Sequence, residues 1–423
     1  MQQSNSWAVV CHLDYTSHGS ISIVRYDGKA ASVERLDRYP ASGLEAARRP
    51  VFLGIAADDS AVVMDAATKA VSQQDGLPED AFVPYAYRDP DHQRIWFMND
   101  GDEDTGCDAL NCGDKGASVM IVNNNKKAAS IIKTLCVGRG HHVTVFARPT
   151  DKAHGIPKRA FVSNLEDGTV SVIGNDDADA ASYLKILDTI NLCQPDKEEG
   201  GKMTVPNSAY PHGMEFSPVT GKIYNLCNGY GSISVIDPVT NKIETTIPLE
   251  KSSNLLLSPC GRFLIGKGAD RKEDPEHVIG QLSVVDLQKN AVVKTLDLPD
   301  VYPSVYRFSP DGTRLYITTA ATGKGTQRDN LKKESVLVFD ATVLPELRQL
   351  KEIRVGRADC GRRPLAFTKL NGARPYVFFP NPTDGTLSIV DGKSDTVVST
   401  VTIGEPNIEE LLFSFWQEGV YGA

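Results

Sequence analysis

The residues of this chain best suited to chemistry are a small set of histidines. His141 and His142 are adjacent, and His212 follows further along the chain. Imidazole nitrogen is a ligand shared by several transition metals, and a metal ion held by imidazoles can activate water or carry electrons. The three histidines therefore form a candidate metal site, with Cu, Fe, Zn and Mn as the candidate ions, if the fold brings them together.

Paired arginines suggest a second kind of site. Arg48 is followed by Arg49 and Arg362 by Arg363, and Arg139 stands just before the paired histidines. The planar guanidinium group binds carboxylates through two charge-assisted hydrogen bonds. These arginines could hold a small anion or carboxylate, and the two kinds of site could combine as a metal ion with an anionic substrate.

The elements that must position these residues are indicated by a strand signature that recurs seven times, at 20–24, 118–122, 169–173, 232–236, 281–285, 335–339 and 386–390. Four copies are followed at once by an aspartate, namely Asp237, Asp286, Asp340 and Asp391. Most neighbouring copies lie about 50 residues apart, a period typical of repeated supersecondary units. With four short strands and turn residues in each repeat, the pattern predicts an all-β fold, a β-propeller of four-stranded antiparallel blades.

One repeat carries a family resemblance. Residues 222–248 resemble the YVTN family of β-propeller repeats in an Asn-Gly turn at 228–229, a strand ending Val-Ile-Asp at 235–237 and a Thr-Asn-Lys turn at 240–242. The resemblance covers most of residues 82–403. It implies the propeller fold but no particular activity, because such propellers host many unrelated functions.

The repeat predicts a single domain over residues 1–423, because blades bury their faces only against neighbouring blades. We expect residues 7–26 and 405–415 to share one blade, so that the C-terminal strand closes the ring. Residues 27–81 fit the repeat poorly and are expected to be an irregular segment or a degenerate blade. Seven blades are favoured, and eight are the alternative.

In a propeller the innermost strands line a central channel, and the residues that precede them converge on its axis. Here that set is polar and comprises Arg48, Arg49, His141, His142, His212, Ser252, Ser253, Asn254, Tyr302, Ser304, Arg362, Arg363 and Asn407. Neighbouring residues of a strand point to opposite faces, so at most one of His141 and His142 should face the channel. The alternative interpretation is that these side chains only hydrate a water-filled channel.

The composition and the missing motifs argue against several classes of function. The net charge of −9 argues against binding to nucleic acid or to an anionic membrane surface. The chain has no apolar window long enough for a membrane span. Its first residues do not read as a secretory signal, which predicts a soluble cytoplasmic protein, or a periplasmic one if the start is processed. The motifs of serine hydrolases, zincins, P-loop NTPases and Rossmann enzymes are absent from the sequence.

Two further features leave alternatives open. Cys107 and Cys112 could form a local disulfide, half of a metal site or two free thiols. The acidic stretch at 99–108 alternates carboxylates as calcium loops do, but it lacks the other EF-hand positions and is better read as a solvated insertion. Cys11, Cys136 and Cys227 lie in apolar strand-like runs and are expected to be small buried hydrophobic residues.

The sequence therefore predicts a small-molecule or metal site in the central channel, in keeping with a metal-dependent oxidoreductase or lyase that acts on a small anionic substrate. His142 and His212 are the expected metal ligands and Arg49 and Arg363 the expected anion ligands, with the alternatives His141, Arg48 and Arg362. The competing hypothesis is a non-catalytic scaffold that binds protein partners through its loop-rich face. A pure scaffold would not need the histidines and arginines near the axis.

Overall fold

A computed structural model describes residues 6–12, 20–36, 51–55, 61–65, 71–74, 86–91, 94–99, 117–123, 130–140, 143–359, 363–367 and 376–404. Within these ranges the chain forms eight antiparallel sheets, six with four strands and two with three. The chain divides into two compact units. The first unit comprises residues 1–84, 269–281 and 296–423, and the second comprises residues 85–268 and 282–295.

Each sheet is a meander in which strands that follow one another along the chain are paired. The three-stranded sheets consist of β1 (Ser6–His12), β2 (Ser20–Tyr26) and β3 (Ala31–Leu36), and of β4 (Val51–Ile55), β5 (Ala61–Asp65) and β6 (Val71–Gln74). The first two four-stranded sheets are β7 (Ala86–Arg88), β8 (Arg94–Asn99), β9 (Ser118–Asn123) and β10 (Ser130–Cys136), and β11 (Thr144–Ala147), β12 (Arg159–Asn164), β13 (Thr169–Gly174) and β14 (Ile186–Asn191).

The other four-stranded sheets follow in the same order. They are β15 (Pro211–Ser217), β16 (Lys222–Cys227), β17 (Ser232–Asp237) and β18 (Lys242–Pro248); β19 (Asn254–Leu257), β20 (Phe263–Asp270), β21 (Ile279–Asp286) and β22 (Ala291–Pro299); β23 (Pro303–Phe308), β24 (Arg314–Thr319), β25 (Ser335–Asp340) and β26 (Arg348–Arg354); and β27 (Ala366–Phe367), β28 (Tyr376–Asn381), β29 (Thr386–Asp391) and β30 (Thr396–Thr402).

Helical structure is scarce in the described part of the chain. It consists of the short helix α1 (Thr326–Asn330) and the 3₁₀ turns Pro195–Lys197, Asn228–Tyr230 and Pro382–Asp384. No helix in these ranges has both the length and the apolar character needed to cross a membrane.

The burial of the strands follows their position in each sheet. Every residue of the third strands β13 and β25 is buried, although β13 alternates between apolar residues and Thr or Ser. The fourth strands β14 and β26 are mostly exposed. Full burial of a half-polar strand means that both faces of the sheet are covered, as they are when blades pack face to face.

Neighbouring sheets pack through apolar side chains within each unit. In the second unit, Phe161 and Val172 of one sheet share a core with Met214, Ile223 and Ile236 of the next. In the first unit, Val24 and Tyr26 of the N-terminal sheet pack with Phe378, Leu387 and Ile389. The first sheet of the chain therefore lies against the sheet β27–β30.

The number of blades stays a prediction. Eight sheets are described, where seven blades were favoured from the sequence and eight were the alternative. Within the segment 27–81, the strands β4–β6 form one sheet, and β3 extends the N-terminal sheet. The proposed closing strand at 405–415 lies outside the described residues, so the ring closure also stays a prediction.

The recurring aspartates cap the turns between third and fourth strands. In all four copies the carboxylate accepts a hydrogen bond from the backbone N–H two residues later: Asp237 from Val239 (3.0 Å), Asp286 from Gln288 (3.0 Å), Asp340 from Thr342 (3.0 Å) and Asp391 from Lys393 (2.7 Å). Such a bond mimics a backbone turn. The aspartate of the strand signature is thus a structural residue and not a candidate for chemistry.

Asp340 gives a test of these caps in acid. Hydrogen bonds from Thr342 and Arg348 lower the pKa of Asp340 from 3.8 to about 2. A lowered carboxyl pKa stabilises the folded state at neutral pH, and the contribution is lost as the pH falls from about 4 towards 2. We expect Asp340→Asn to flatten the pH dependence of the melting temperature in that window. Asp151→Asn, an equal charge change on an exposed turn, should leave the slope as it is in the wild type.

A β-bulge recurs on the outermost strand of five sheets. The pairing register shifts by one residue in β10, β14, β18, β26 and β30, which leaves Ile132, Leu187, Glu244, Leu350 and Val398 as the extra residues. A bulge interrupts the row of backbone groups at a sheet edge. The outer strands are therefore poor templates for pairing with another chain.

The cysteines differ in their state. Cys227 is a free, buried thiol, as expected from the sequence. Cys136, at the end of β10, is disulfide-bonded, which corrects the expectation that it is simply a small buried hydrophobic residue. Cys107 and Cys112 lie outside the described residues.

Candidate ligand site at the starts of the innermost strands

Counting back along the sequence from a matching cross-strand pair gives one comparable position before or at the start of four innermost strands. The cross-strand pairs Thr144–Val162, Met214–Asn225 and Tyr306–Ile317 occupy the same place in three sheets. Two residues before the first member of each pair stand His142, His212 and Ser304. The pair Ala366–Phe378 lies one residue further along its sheet. The comparable position there is therefore three residues before Ala366, namely Arg363.

Of the seven predicted metal and anion ligands, the structure describes two, namely His212 in the second unit and Arg363 in the first. Arg48, Arg49, His141, His142 and Arg362 lie outside the described residues, as does Asn407. The roles of all these residues stay predictions.

His212 lies half-buried at the start of β15, with its ring held by the neighbouring sheet. Its Nδ1 atom lies 2.6 Å from the carbonyl oxygen of Ser253. Because a carbonyl can only accept, Nδ1 carries the proton and donates it. In the neutral ring this tautomer leaves the lone pair on Nε2, which is the nitrogen that a metal ion or a donor group would meet.

Ser253, whose carbonyl accepts this hydrogen bond, is itself held in place. The backbone N–H of Ser253 donates to the carbonyl of Lys267 at 2.7 Å, and the hydroxyl of Ser253 donates to the same oxygen at 3.2 Å. The chain from β20 through Ser253 to His212 therefore sets the orientation of the imidazole from the backbone of the next sheet.

A glycine lets the innermost strands approach each other beside His212. Gly213 has a φ of +140°, and a Cβ atom there would lie 3.0 Å from the backbone nitrogen of Leu255. A side chain at this position would separate β15 from β19. On the other side of β15, Ala147 of β11 and Met214 of β15 belong to the same core. The second unit thus holds β11, β15 and β19 side by side.

Arg363 is fully buried, and its guanidinium group binds other parts of the first unit. Nη1 donates to Oδ1 of Asn381 at 3.2 Å, and Nη2 donates to the carbonyls of Gly356 (2.8 Å) and Lys333. The backbone N–H of Arg363 donates to the hydroxyl of Ser304 at 2.9 Å. Both terminal nitrogens are therefore engaged with protein oxygens, and no sequence pattern had indicated this set of partners.

Burial also changes the ionisation of Arg363. Desolvation lowers its pKa from 12.5 to about 9, while Asp384, Glu334 and Asp359 oppose the shift. The group remains a cation at neutral pH. A buried cation that hydrogen-bonds to uncharged oxygens holds its loop in place, and its predicted role in binding an anion stays a prediction.

Arg139 binds a carboxylate that belongs to the protein. Its Nε and Nη2 atoms donate to Oδ1 of Asp167 at 2.9 and 2.8 Å. Its backbone N–H donates to Oδ2 of the same residue at 2.8 Å. The guanidinium group of Arg139 is thus paired with a carboxylate of the protein itself.

The same buried amide arrangement occurs separately in two sheets, β11–β14 and β27–β30. The side-chain nitrogen of an asparagine at the end of the second strand donates to a Thr and a Ser hydroxyl of the third strand. The distances are 2.9 Å (Asn164 to Thr169), 3.0 Å (Asn164 to Ser171), 3.0 Å (Asn381 to Thr386) and 2.9 Å (Asn381 to Ser388). Both amides therefore have the same fixed orientation, with Oδ1 turned away from the hydroxyls.

In each of these sheets, the loop before the innermost strand lies close to the asparagine side chain. A Cβ atom at Gly138 would lie 2.8 Å from Cγ of Asn164, and one at Gly356 would lie 2.6 Å from Cγ of Asn381. The next residue in each loop donates its backbone N–H to an aspartate, at 2.8 Å from Arg139 to Asp167 and 2.7 Å from Arg357 to Asp384. We call these arrangements the twin modules, centred on Asn164 and on Asn381.

The twin modules differ at one acceptor. Oδ1 of Asn381 accepts a hydrogen bond from Arg363. Oδ1 of Asn164 is buried and has no hydrogen-bond partner among the described residues. The residue equivalent to Arg363 in that module is His142.

The described residues do not contain a complete metal centre. Within them, no group of three or more His, Cys, Asp or Glu side chains is arranged to hold a metal ion. His212 has the geometry of an oriented imidazole, and so does the exposed His277, whose Nδ1 lies 2.6 Å from Oδ1 of Asp300. Any second ligand must come from the remaining residues or from a bound molecule.

Comparison with known proteins supports the fold. No family model matches the chain, and no curated protein matches it. Among solved structures, the dihydro-heme d1 dehydrogenase NirN in complex with DHE is similar with a TM-score of 0.54 and 14% identity, over 95% of this chain and 74% of that chain. The hydrazine synthase of Kuenenia stuttgartiensis is similar with a TM-score of 0.50 and 16% identity, over 77% of this chain and 88% of that chain.

Both similarities lie at low identity and bear on the fold alone. The resemblance to YVTN repeats stays a prediction, since no family model matches. The predicted architecture is confirmed by the six four-stranded meanders together with these similar structures. The chain is therefore a β-propeller protein built from four-stranded antiparallel sheets.

Proposed function

We propose that the starts of β11 and β15 bind a transition metal ion, with Nε2 of His212 as one ligand and the imidazole of His142 as a second. The observation that carries the proposal is the hydrogen bond from Nδ1 of His212 to the carbonyl of Ser253. Metal-binding imidazoles in proteins almost always donate their other N–H to a carbonyl or carboxylate. His142 is included because of its position in the sequence. His141 is the alternative if the strand register differs by one residue.

The chemistry expected at such a site is limited in kind. A metal ion on imidazole ligands supplies Lewis acidity or electron transfer to a bound small molecule. In this proposal the chain is an oxidoreductase or lyase acting on a small anionic substrate. The two similar proteins are named as a synthase and a dehydrogenase, but a likeness in fold does not transfer their reactions.

We also propose an oxidising compartment such as the periplasm for this protein. Cys136 is disulfide-bonded, and disulfides are rare in cytosolic proteins. This favours the second of the two locations expected from the sequence.

A protein-interaction scaffold is the second candidate, and one loop favours it. In the connection between β14 and β15, Met203 and Val205 are 60% and 55% exposed. The same loop is fixed by Glu198, whose carboxylate accepts from the Ser208 backbone at 2.8 Å and from the Tyr230 hydroxyl. A rigid loop that presents apolar side chains loses little entropy when it binds a partner.

The metal proposal is tested by His212→Asn. The side-chain NH₂ of Asn can replace Nδ1 as the donor to Ser253, but Asn has no atom in the place of Nε2. We expect the wild type, purified without chelators, to carry near-stoichiometric metal, and His212→Asn to carry about tenfold less or lower still. Elemental mass spectrometry measures the metal, and the melting temperature checks that the fold is intact.

The matched control is His154→Asn, the same change at an exposed histidine on a loop. It should keep the metal content of the wild type. If His212→Asn keeps its metal, or if the wild type carries only traces after growth with added Cu, Fe, Zn and Mn, the proposal is wrong and the scaffold becomes the leading function.

A further inference from the structure

The amide of Asn254 lies next to the segment that carries His212. A Cβ atom at Gly213 would lie 3.0 Å from Oδ1 and 3.2 Å from Cα of Asn254. The residue before Asn254 is Ser253, whose carbonyl oxygen lies 2.6 Å from Nδ1 of His212. All four residues are described and belong to the second unit. The start of β19 therefore orients the imidazole of His212 through one residue and places a side-chain amide beside Gly213 through the next.

A single hydrogen bond fixes the orientation of this amide. The backbone N–H of Leu255 donates to Oδ1 of Asn254 at 2.7 Å, which leaves Nδ2 as the end with two N–H donors. No residue that the structure describes accepts a hydrogen bond from Nδ2. Asn254 is half-buried, and its Nδ2 is not one of the buried side-chain atoms that lack a partner. Its N–H groups are therefore open to solvent or to a bound molecule.

The hydrogen bond from Leu255 does not by itself explain why this residue is an asparagine. Elsewhere in the same unit a carboxylate makes the same bond, from the backbone N–H of Thr189 to Oδ1 of Asp188 at 2.8 Å. A carboxylate has only acceptors, whereas the amide is neutral and keeps its N–H donors. The difference matters where an anion binds, because an amide N–H stabilises negative charge and a carboxylate repels it.

We propose that Nδ2 of Asn254 donates a hydrogen bond to a small oxyanion, of which a carboxylate is the simplest case, bound to the metal ion at His212. The inference rests on the proposed function and names the class of ligand for that site. One oxygen of the anion binds the metal ion, and a second oxygen accepts from Asn254. Asn254 is thus a specificity-determining residue, which favours an oxyanion over a neutral ligand of the same metal ion.

The experiment uses formate as the probe, titrated by calorimetry into the metal-loaded protein. Asn254→Asp keeps an acceptor for the Leu255 N–H, but it removes the donor and adds a negative charge. Asn254→Leu removes the donor without adding charge. We expect both variants to bind formate about tenfold more weakly than the wild type, or more weakly still, because a hydrogen bond to a charged group is lost. The melting temperature of Asn254→Asp should equal that of the wild type, since the bond from Leu255 is kept.

Two controls show whether the loss is specific. Imidazole is a neutral ligand that binds a metal ion through nitrogen and needs no N–H donor from the protein, so Asn254→Leu should bind it as the wild type does. Asn290→Asp makes the same charge change at an exposed turn residue of the same unit. The φ of +48° at Asn290 is close to the +53° of Asp395, so an aspartate fits there. This variant should bind formate with the affinity of the wild type.

The outcomes separate this inference from the proposed function. If the wild type holds metal and both Asn254 variants bind formate as tightly as it does, the inference is overturned and the metal proposal stands. The same conclusion follows if the metal-loaded wild type binds imidazole but not formate. If Asn254→Leu loses imidazole as well as formate, Asn254 supports the metal site and does not select the anion. If the wild type holds no metal, the metal proposal falls, and this inference falls with it.

Discussion

Replacing Arg363 with Met should destabilise the protein by about 2–5 kcal/mol, because it removes the donor from buried acceptors that cost about 1–3 kcal/mol each when unmet. The side chain is completely buried and donates to Asn381, Gly356 and Lys333. Met fills much of the same volume but leaves Oδ1 of Asn381 and the carbonyl of Gly356 without this donor, whereas the carbonyl of Lys333 still accepts from the backbone N–H of Ala358 at 3.0 Å. Each unmet acceptor costs about 1–3 kcal/mol, so the loss should show clearly in denaturant unfolding.

The control for this change is Arg354→Met. The side chain of Arg354 is 86% exposed and pairs with Glu334 at 2.9 Å, and surface pairs contribute about 0–1 kcal/mol. A loss below about 1 kcal/mol for Arg363→Met would contradict a structural role, since two buried acceptors without a donor must cost more. If Arg363 instead binds an anionic ligand, its replacement should weaken that ligand and leave the unfolding free energy nearly unchanged.

Replacing Gly268 with Ala should have a comparable effect, in the second unit. A Cβ atom at this position would lie 1.7 Å from the carbonyl oxygen of Lys251. Lys251 has a φ of +56°, so its backbone has little freedom to move aside. Because overpacking against backbone forces strands apart, we expect a loss of about 3 kcal/mol in unfolding free energy.

Gly268→Ala should also affect the proposed metal site. Moving Lys251 displaces Ser253, whose N–H donates to Lys267 at 2.7 Å and whose carbonyl accepts from His212 at 2.6 Å. We therefore expect weaker metal binding in Gly268→Ala as well as lower stability. Gly155→Ala is the matched control, because nothing lies within 4 Å of a Cβ atom there. Equal stability of the two variants would contradict the close approach at Gly268.

The sequence predicted the repeating parts of the fold well because they depend on local patterns. Alternating apolar and small polar residues gave the third strands, and the aspartate after each of them is a turn cap. The two sheets at 6–36 and 51–74 were harder to recognise. Their strands have the right period but do not carry the full set of turn residues that marks the later repeats.

The surroundings of the candidate site depend on contacts between distant residues, which no local pattern reports. Period-2 alternation could not show that Arg363 turns towards Asn381, because Arg363 precedes the two-residue strand β27 and lies outside any strand. Only the structure shows that the glycines at 138 and 356 are required by the close approach of an asparagine amide.

The most direct test of the account is an anomalous-difference map, measured at the absorption edge of the metal found by elemental analysis, from crystals of protein purified without chelators. The account predicts a peak about 2.0–2.2 Å from Nε2 of His212, the usual distance of a metal ion from an imidazole nitrogen. A map without a peak at His212, or with the metal bound elsewhere, would contradict the proposal that this propeller binds a metal ion at the starts of its innermost strands.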